Sequence, residues 1–270
     1  MLRTPRALAK VQKRVQQQKS LLRPEAAAAG QAPQHRGTQA AAITLALDAI
    51  PKGPDGKPEG GRYLIIGASG KGKTHLAIKL VRELVRRNLC KTTVVLDLKD
   101  PERPQYEGAI THSVDEARVI LAEESPEFLI CRAGINGEEA ATLVKDSAEA
   151  RTKMYFFGDE LTPLLKAKDD GEPIAQSFLG PSLVWLQLQG RGLGAGSVIL
   201  VNLVKNVPGS ALDNCTAYIV FGTGGRSLNS LIDYSIIPRH AIPIVSKLPR
   251  GECGVFFTEE DWNGVIYGPG

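Results

Sequence analysis

The sequence predicts an α/β fold in which a mostly parallel central sheet is covered by helices, with strands added toward the C-terminus and a basic arm at the N-terminus. Three observations carry that expectation. From residue 62 onward, short continuous runs of Val, Ile and Leu alternate with helical patterns, as strands buried on both faces of a parallel sheet do. A glycine-rich stretch, "GASGKGKT" at residues 67–74, separates one such strand from one such helix. A further apolar strand, "MYFF", runs into Asp159 and Glu160.

The 270 residues, 43% hydrophobic, suffice to bury a core. The net charge of +4 is unevenly spread, because residues 1–47 hold eight Lys or Arg against the single acid Glu25. In this arm Leu8, Val11, Val15 and Leu22 share one stripe at the helical period, with Arg3, Arg6, Lys10, Lys13 and Arg14 roughly opposite. Pro24 ends that pattern, and "EAAAAGQAPQHRGTQ" has the composition of a flexible connector. Residues 51–61, "PKGPDGKPEGG", have the turn chemistry of a Pro/Gly linker. The expected organisation is a basic arm and connector over 1–50, a linker over 51–61 and a folded domain over 62–270 that starts near Gly61.

Within the domain, "RYLIIGA", "TTVVLDL", "FLICRA", "KMYFF" and "SVILVN" read as strands, separated by helices over 74–89, 113–123, 137–150 and 174–190. Beyond residue 215, "AYIVFG", "AIPIVS", "GVFF" and "VIYG" read as further strands, with a short helix near 227–234. The longest apolar runs fall well short of the roughly 20 residues that span a bilayer. Cys90, Cys131, Cys215 and Cys253 lie far apart without a CxxC pair, which suggests neither a zinc site nor a disulfide framework and fits a reducing, cytoplasmic setting.

The stretch at 67–74 satisfies GxxxxGK[ST]: Gly67, then Ala68, Ser69, Gly70 and Lys71, then Gly72, Lys73 and Thr74, after a strand and before a helix. Backbone N–H groups of such a loop, together with the positive end of the helix, cradle phosphate. Lys73 is placed to reach the β/γ oxygens of ATP and Thr74 to offer its hydroxyl to Mg²⁺. Lys71 is followed by Gly72, which has no hydroxyl, and so does not fit that role. Asp159, at a strand's carboxyl end expected beside the P-loop strand, can hold the Mg²⁺ shell, and Glu160 can act as general base toward the attacking water. Asn202, at the tip of "SVILVN", sits where a γ-phosphate sensor belongs.

Taken in order, the P-loop, "VVLDLKDP", "FFGDEL", "GRGLGAGSVILVN", "GGRSLNSLID" and "LPRGECGVFF" resemble the FtsK/HerA superfamily of DNA-pumping ATPases over residues 63–257. The chain is most similar to the genome-packaging ATPases of membrane-containing viruses. Where that family commonly carries Gln as sensor, this sequence has Asn202, one methylene shorter. The resemblance implies an ATP-driven translocase of double-stranded DNA, a homo-oligomer forming a hexameric ring, and an arginine completing the neighbouring protomer's site. Arg226 matches that arginine, with Arg191 and Arg250 as rivals. It also implies a place in the host cytoplasm or at a virion vertex, with the arm available to capsid, portal or membrane-vertex proteins. The alternatives are an assembly or secretion ATPase acting on protein, a cellular DNA pump, or a slowly hydrolysing scaffold. Lys166, Lys168 and Lys205 lie in loops that can meet DNA phosphates.

Overall fold

In this computed structural model the described residues are 36–97, 106–132, 134–159, 181–204, 207, 212–257 and 265–269. The alternating apolar runs become strands β1 (Arg36–Thr38), β2 (Arg62–Ile66), β3 (Thr92–Asp97), β4 (Ala109–Thr111), β5 (Phe128–Cys131), β6 (Met154–Asp159), β7 (Gly196–Val201), β8 (Ala217–Phe221), β9 (Cys253–Phe256) and β10 (Ile266–Gly268). Among the described residues they form one sheet in the order β1-β10-β9-β8-β2-β7-β6-β3-β5-β4. The stretch from β8 to β4 is parallel throughout. Antiparallel pairing enters this sheet where β9 meets β8 and β10 meets β9.

Helices cover both faces: α1 (Gln39–Asp48), α2 (Lys73–Arg86), α3 (Val114–Glu123), α4 (Gly137–Glu149), α5 (Pro181–Leu188), α6 (Arg226–Asp233) and the single turn α7 (Ile242–Val245). Side chains alternate along a strand, so each central strand feeds two cores. From β2, Leu64 and Ile66 join the core beneath α3, α4, α5 and α6, whereas Tyr63 and Ile65 join the core beneath α1 and α2. The helix starts follow local chemistry. Ser113 caps α3, and Asn136 with Glu139 forms a capping box on α4, which satisfies two otherwise orphaned amides there.

Four expectations need correcting. Residues 36–48, assigned by composition to the arm and connector, form β1 and α1. Ala42, Ile43, Ala46 and Leu47 are buried there, and β1 pairs with β10. Burial against α2 and the C-terminal strands outweighs the low-complexity composition. The 51–61 stretch is a pinned turn inside the domain: Gly53 N–H donates to Lys57 O (2.8 Å), Glu59 N–H to Pro51 O (2.9 Å) and Gly60 N–H to Arg191 O (2.8 Å). "AIPIVS" is helical over Arg239–Val245, not a strand, because Pro243 sits in the first turn of α7, where its missing N–H costs nothing. Finally, β6 does not lie beside β2, since β7 is inserted between them.

All four cysteines are free, and burial pushes each thiol up to about 12. No helix among the described residues is long and apolar enough to cross a membrane.

Candidate functional site

The parallel strands deliver their polar residues to one edge. At the carboxyl ends of β2, β7, β6 and β3 stand Gly67, Asn202, Asp159 and Asp97, the edge at which open α/β sheets bind ligands. The chain leaves β2 through a turn only glycine can make. A Cβ on Gly67 would lie 2.7 Å from Phe221 Cβ, and Gly72, the residue before α2, has φ +102°. Gly67 N–H donates to Val201 O and Ala68 N–H to Gly222 O, each at 3.2 Å, so the loop's first residues are moored to β7 and to the end of β8.

Lys73 opens α2, and its ammonium turns back into the loop. Nζ donates to Gly67 O (2.8 Å), Ala68 O (3.0 Å) and Asn202 Oδ1 (2.7 Å). One residue on, Thr74 Oγ1 donates to Asp159 Oδ1 at 3.2 Å. Asp159 is 2% exposed and accepts a second hydrogen bond, at Oδ2, from the Tyr106 hydroxyl. Burial first, and then the charge of Asp159, hold that phenol well above its usual range. Asp97 is the register partner of Asp159 on the neighbouring strand and lies 3.8 Å from the Arg132 guanidinium. Lys71 behaves differently: its Nζ donates to Leu248 O (3.0 Å), and its carbonyl accepts from Gly251 N–H (2.9 Å).

No protein-family model matches the sequence, and no curated protein is similar to it. Solved structures do match. The genome-packaging NTPase B204 from Sulfolobus turreted icosahedral virus 2, in complex with ATPγS, has a TM-score of 0.59 at 13% identity, over 78% of this chain and 97% of B204. The sulfate complex of B204 gives 0.61 at 13% identity, over 79% of this chain and 98% of that one. VirB4 of Thermoanaerobacter pseudethanolicus gives 0.52 at 12% identity, over 78% and 94%. The fold is that of a P-loop NTPase.

On this P-loop NTPase fold the residues suit a magnesium nucleotide. Glycines with positive φ at 70 and 72 shape the loop, an ammonium lies at its centre, and the hard oxygens of Thr74 and Asp159 adjoin one another, as Mg²⁺ requires. Sequence reasoning named Lys73, Thr74, Asp159 and Asn202, and the fold brings all four together. Glu160, Lys166, Lys168 and Lys205 lie outside the described residues. Arg226 is exposed at the first position of α6, and the next residue, Ser227, donates to Asn202 O (3.4 Å). Arg191 is engaged at the opposite end of the sheet, its Nε 2.7 Å from Glu59 Oε2 before β7 begins. Arg250 is exposed beside Gly251. Tyr106 and Arg132 were not anticipated as site residues, because nothing local in the sequence links them to the P-loop.

Proposed function

We propose that this chain is an ATP-hydrolysing motor of the FtsK/HerA type that translocates double-stranded DNA, in the manner of a viral genome-packaging ATPase. The carrying observation is the constellation at one sheet edge: Lys73 between the P-loop carbonyls and Asn202, and Thr74 against Asp159. The fold shared with B204, a genome-packaging NTPase that binds ATPγS, supports the same reading.

In this reading Lys73 leaves the loop carbonyls for the β/γ oxygens, and Thr74 and Asp159 hold Mg²⁺. Bound Mg²⁺ neutralises charge on the phosphates. Glu160 takes the proton of the attacking water. Asn202 contacts the γ-phosphate and shares Lys73 with it. Protomers assemble into a hexameric ring, where Arg226 completes the neighbouring site. Arg226 is favoured over Arg191 because Arg191 already pairs with Glu59. Capsid, portal or membrane-vertex proteins meet the basic arm.

The deciding experiment is ATP turnover of the full chain with and without duplex DNA. Mg²⁺-dependent turnover that rises with DNA is expected. Turnover indifferent to DNA but raised by a protein partner would replace DNA translocation with an assembly or secretion role, and absence of turnover would remove the motor reading.

A further inference from the structure

Asp159 is held from two sides by groups that belong to different parts of the chain. Thr74, on the P-loop helix, donates to Oδ1. Tyr106, which precedes β4, donates to Oδ2. The Tyr106 ring is 5% exposed and stands edge-on to Phe157 of β6, with centroids 5.4 Å apart and planes at 88°. It also lies tilted against Phe128 of β5 at 6.3 Å. Two aromatic walls fix the ring, so packing dictates where the hydroxyl points.

That fixed donor meets a specific need. Asp97 and Asp159 are neighbours across the β3–β6 pairing, and both are buried, at 4% and 2% exposure. Adjacent buried carboxylates repel and turn from one another unless each is held by a donor. Arg132 stands beside Asp97, and Tyr106 serves Asp159.

We propose that Tyr106 is a positioning residue for the divalent-cation site: by holding Asp159 Oδ2 it keeps Oδ1 on the side of Thr74, where the two oxygens hold the ion. The proposal rests on the nucleotide-hydrolysing reading above and adds to it a residue that acts through Asp159. Tyr106 also ties the segment before β4 to the end of β6, so the cation site depends on how that segment packs.

Tyr106→Phe removes one oxygen and keeps the ring. In the full chain, Mn²⁺ is titrated in the presence of a non-hydrolysable ATP analogue, and free Mn²⁺ is read by electron paramagnetic resonance. The variant is expected to need about tenfold more Mn²⁺ for half-saturation, the order of effect of a hydrogen bond to a charged group. Binding of a fluorescent ATP in EDTA should be unchanged. Tyr155→Phe is the control: the buried hydroxyl of Tyr155, near the start of β6, accepts from the N–H of Gly61, just before β2 (2.8 Å), so its loss should lower the melting temperature and leave the Mn²⁺ titration alone. An unshifted titration in Tyr106→Phe, or equal loss with and without metal, overturns the role assigned to Tyr106. Nucleotide binding by the wild type that ignores Mn²⁺ altogether would overturn the broader reading with it, and that outcome is recognisable without any variant.

Discussion

The Lys73 ammonium lies 2.7 Å from Asn202 Oδ1, although 129 residues separate the two in sequence. The insertion of β7 between β2 and β6 makes this contact possible, because it sets the carboxyl end of β7 beside that of β2, from which the P-loop leads to Lys73. Asn202, a shorter side chain than Gln, therefore reaches the P-loop lysine. Asn202→Ala should lower kcat by about a hundredfold, on the scale of removing one preorganised polar group from the transferred phosphoryl. Equilibrium binding of a non-hydrolysable ATP analogue should change much less. Comparable losses in kcat and in binding would mean that Asn202 organises the loop rather than the chemistry.

The two P-loop lysines should separate cleanly. Lys73→Ala removes the ammonium at the loop's centre and should abolish ATP turnover. Lys71→Ala should leave most of it, because Lys71 Nζ is spent on Leu248 O. Its loss should instead cost about 1 kcal/mol of stability, the usual worth of such a bond, read as a lowered denaturant midpoint. Equal loss of turnover in both variants would show that the assignment of roles within the loop is wrong.

Glu160→Gln should bind Mg²⁺·ATP and hydrolyse it about a hundredfold to ten-thousandfold more slowly, the span attributed to general bases. Arg226→Ala should also be inactive alone. Mixing the two inactive proteins should restore partial turnover, because a site can then draw its glutamate from one protomer and its arginine from the next. Rings that form but regain no turnover at any ratio would sink a role for Arg226 in trans.

The arm should be tested by removing residues 1–34, which hold seven Lys or Arg against Glu25. Basal hydrolysis should persist, DNA affinity should fall, and the plot of log affinity against log salt should become shallower by about 0.9 for each DNA phosphate that the arm no longer neutralises. Removal of residues 1–50 is a different experiment. It takes away β1 and α1 with the buried Ala42, Ile43, Ala46 and Leu47, and should destabilise the whole domain. An unchanged salt slope after the shorter deletion, with loss of liposome or partner binding, would make the arm a tether rather than a DNA-binding segment.

Lys73, Thr74 and Asp159 were legible because their spacing is itself the chemistry: a loop of fixed length places an ammonium and a hydroxyl, and a strand end places a carboxylate. Strand identity was legible from apolar runs, but strand order was not. Nothing in the periodicity of β6 says that β7 will separate it from β2. The helix α1 was missed because "QAAAITLALD" is small and apolar nearly all round, so no polar face marks out the single stripe, Gln39, Ala42, Ile43, Ala46 and Leu47, that the fold buries. The residues of α7 read as a strand because Ile and Val dominate them, yet Pro243 starts a helical turn. Tyr106 was invisible for a deeper reason, since its partner is reached only through the packing of β5 and β6.

The pairing of β1 with β10 joins residues 36–38 to residues 266–268, and Gln39 beside it donates to Gly251 O at 2.8 Å. The outer margin of the sheet therefore cannot form until residues 266–268 have left the ribosome. Until then α1 lacks part of its cover, and β9 offers an open edge to any other strand nearby. Contacts of such long sequence separation are closed late and slowly. Refolding of the isolated chain should consequently end in a slow phase that quickens when residues 36–48 are supplied already tethered to the C-terminal end, as in a circular permutant.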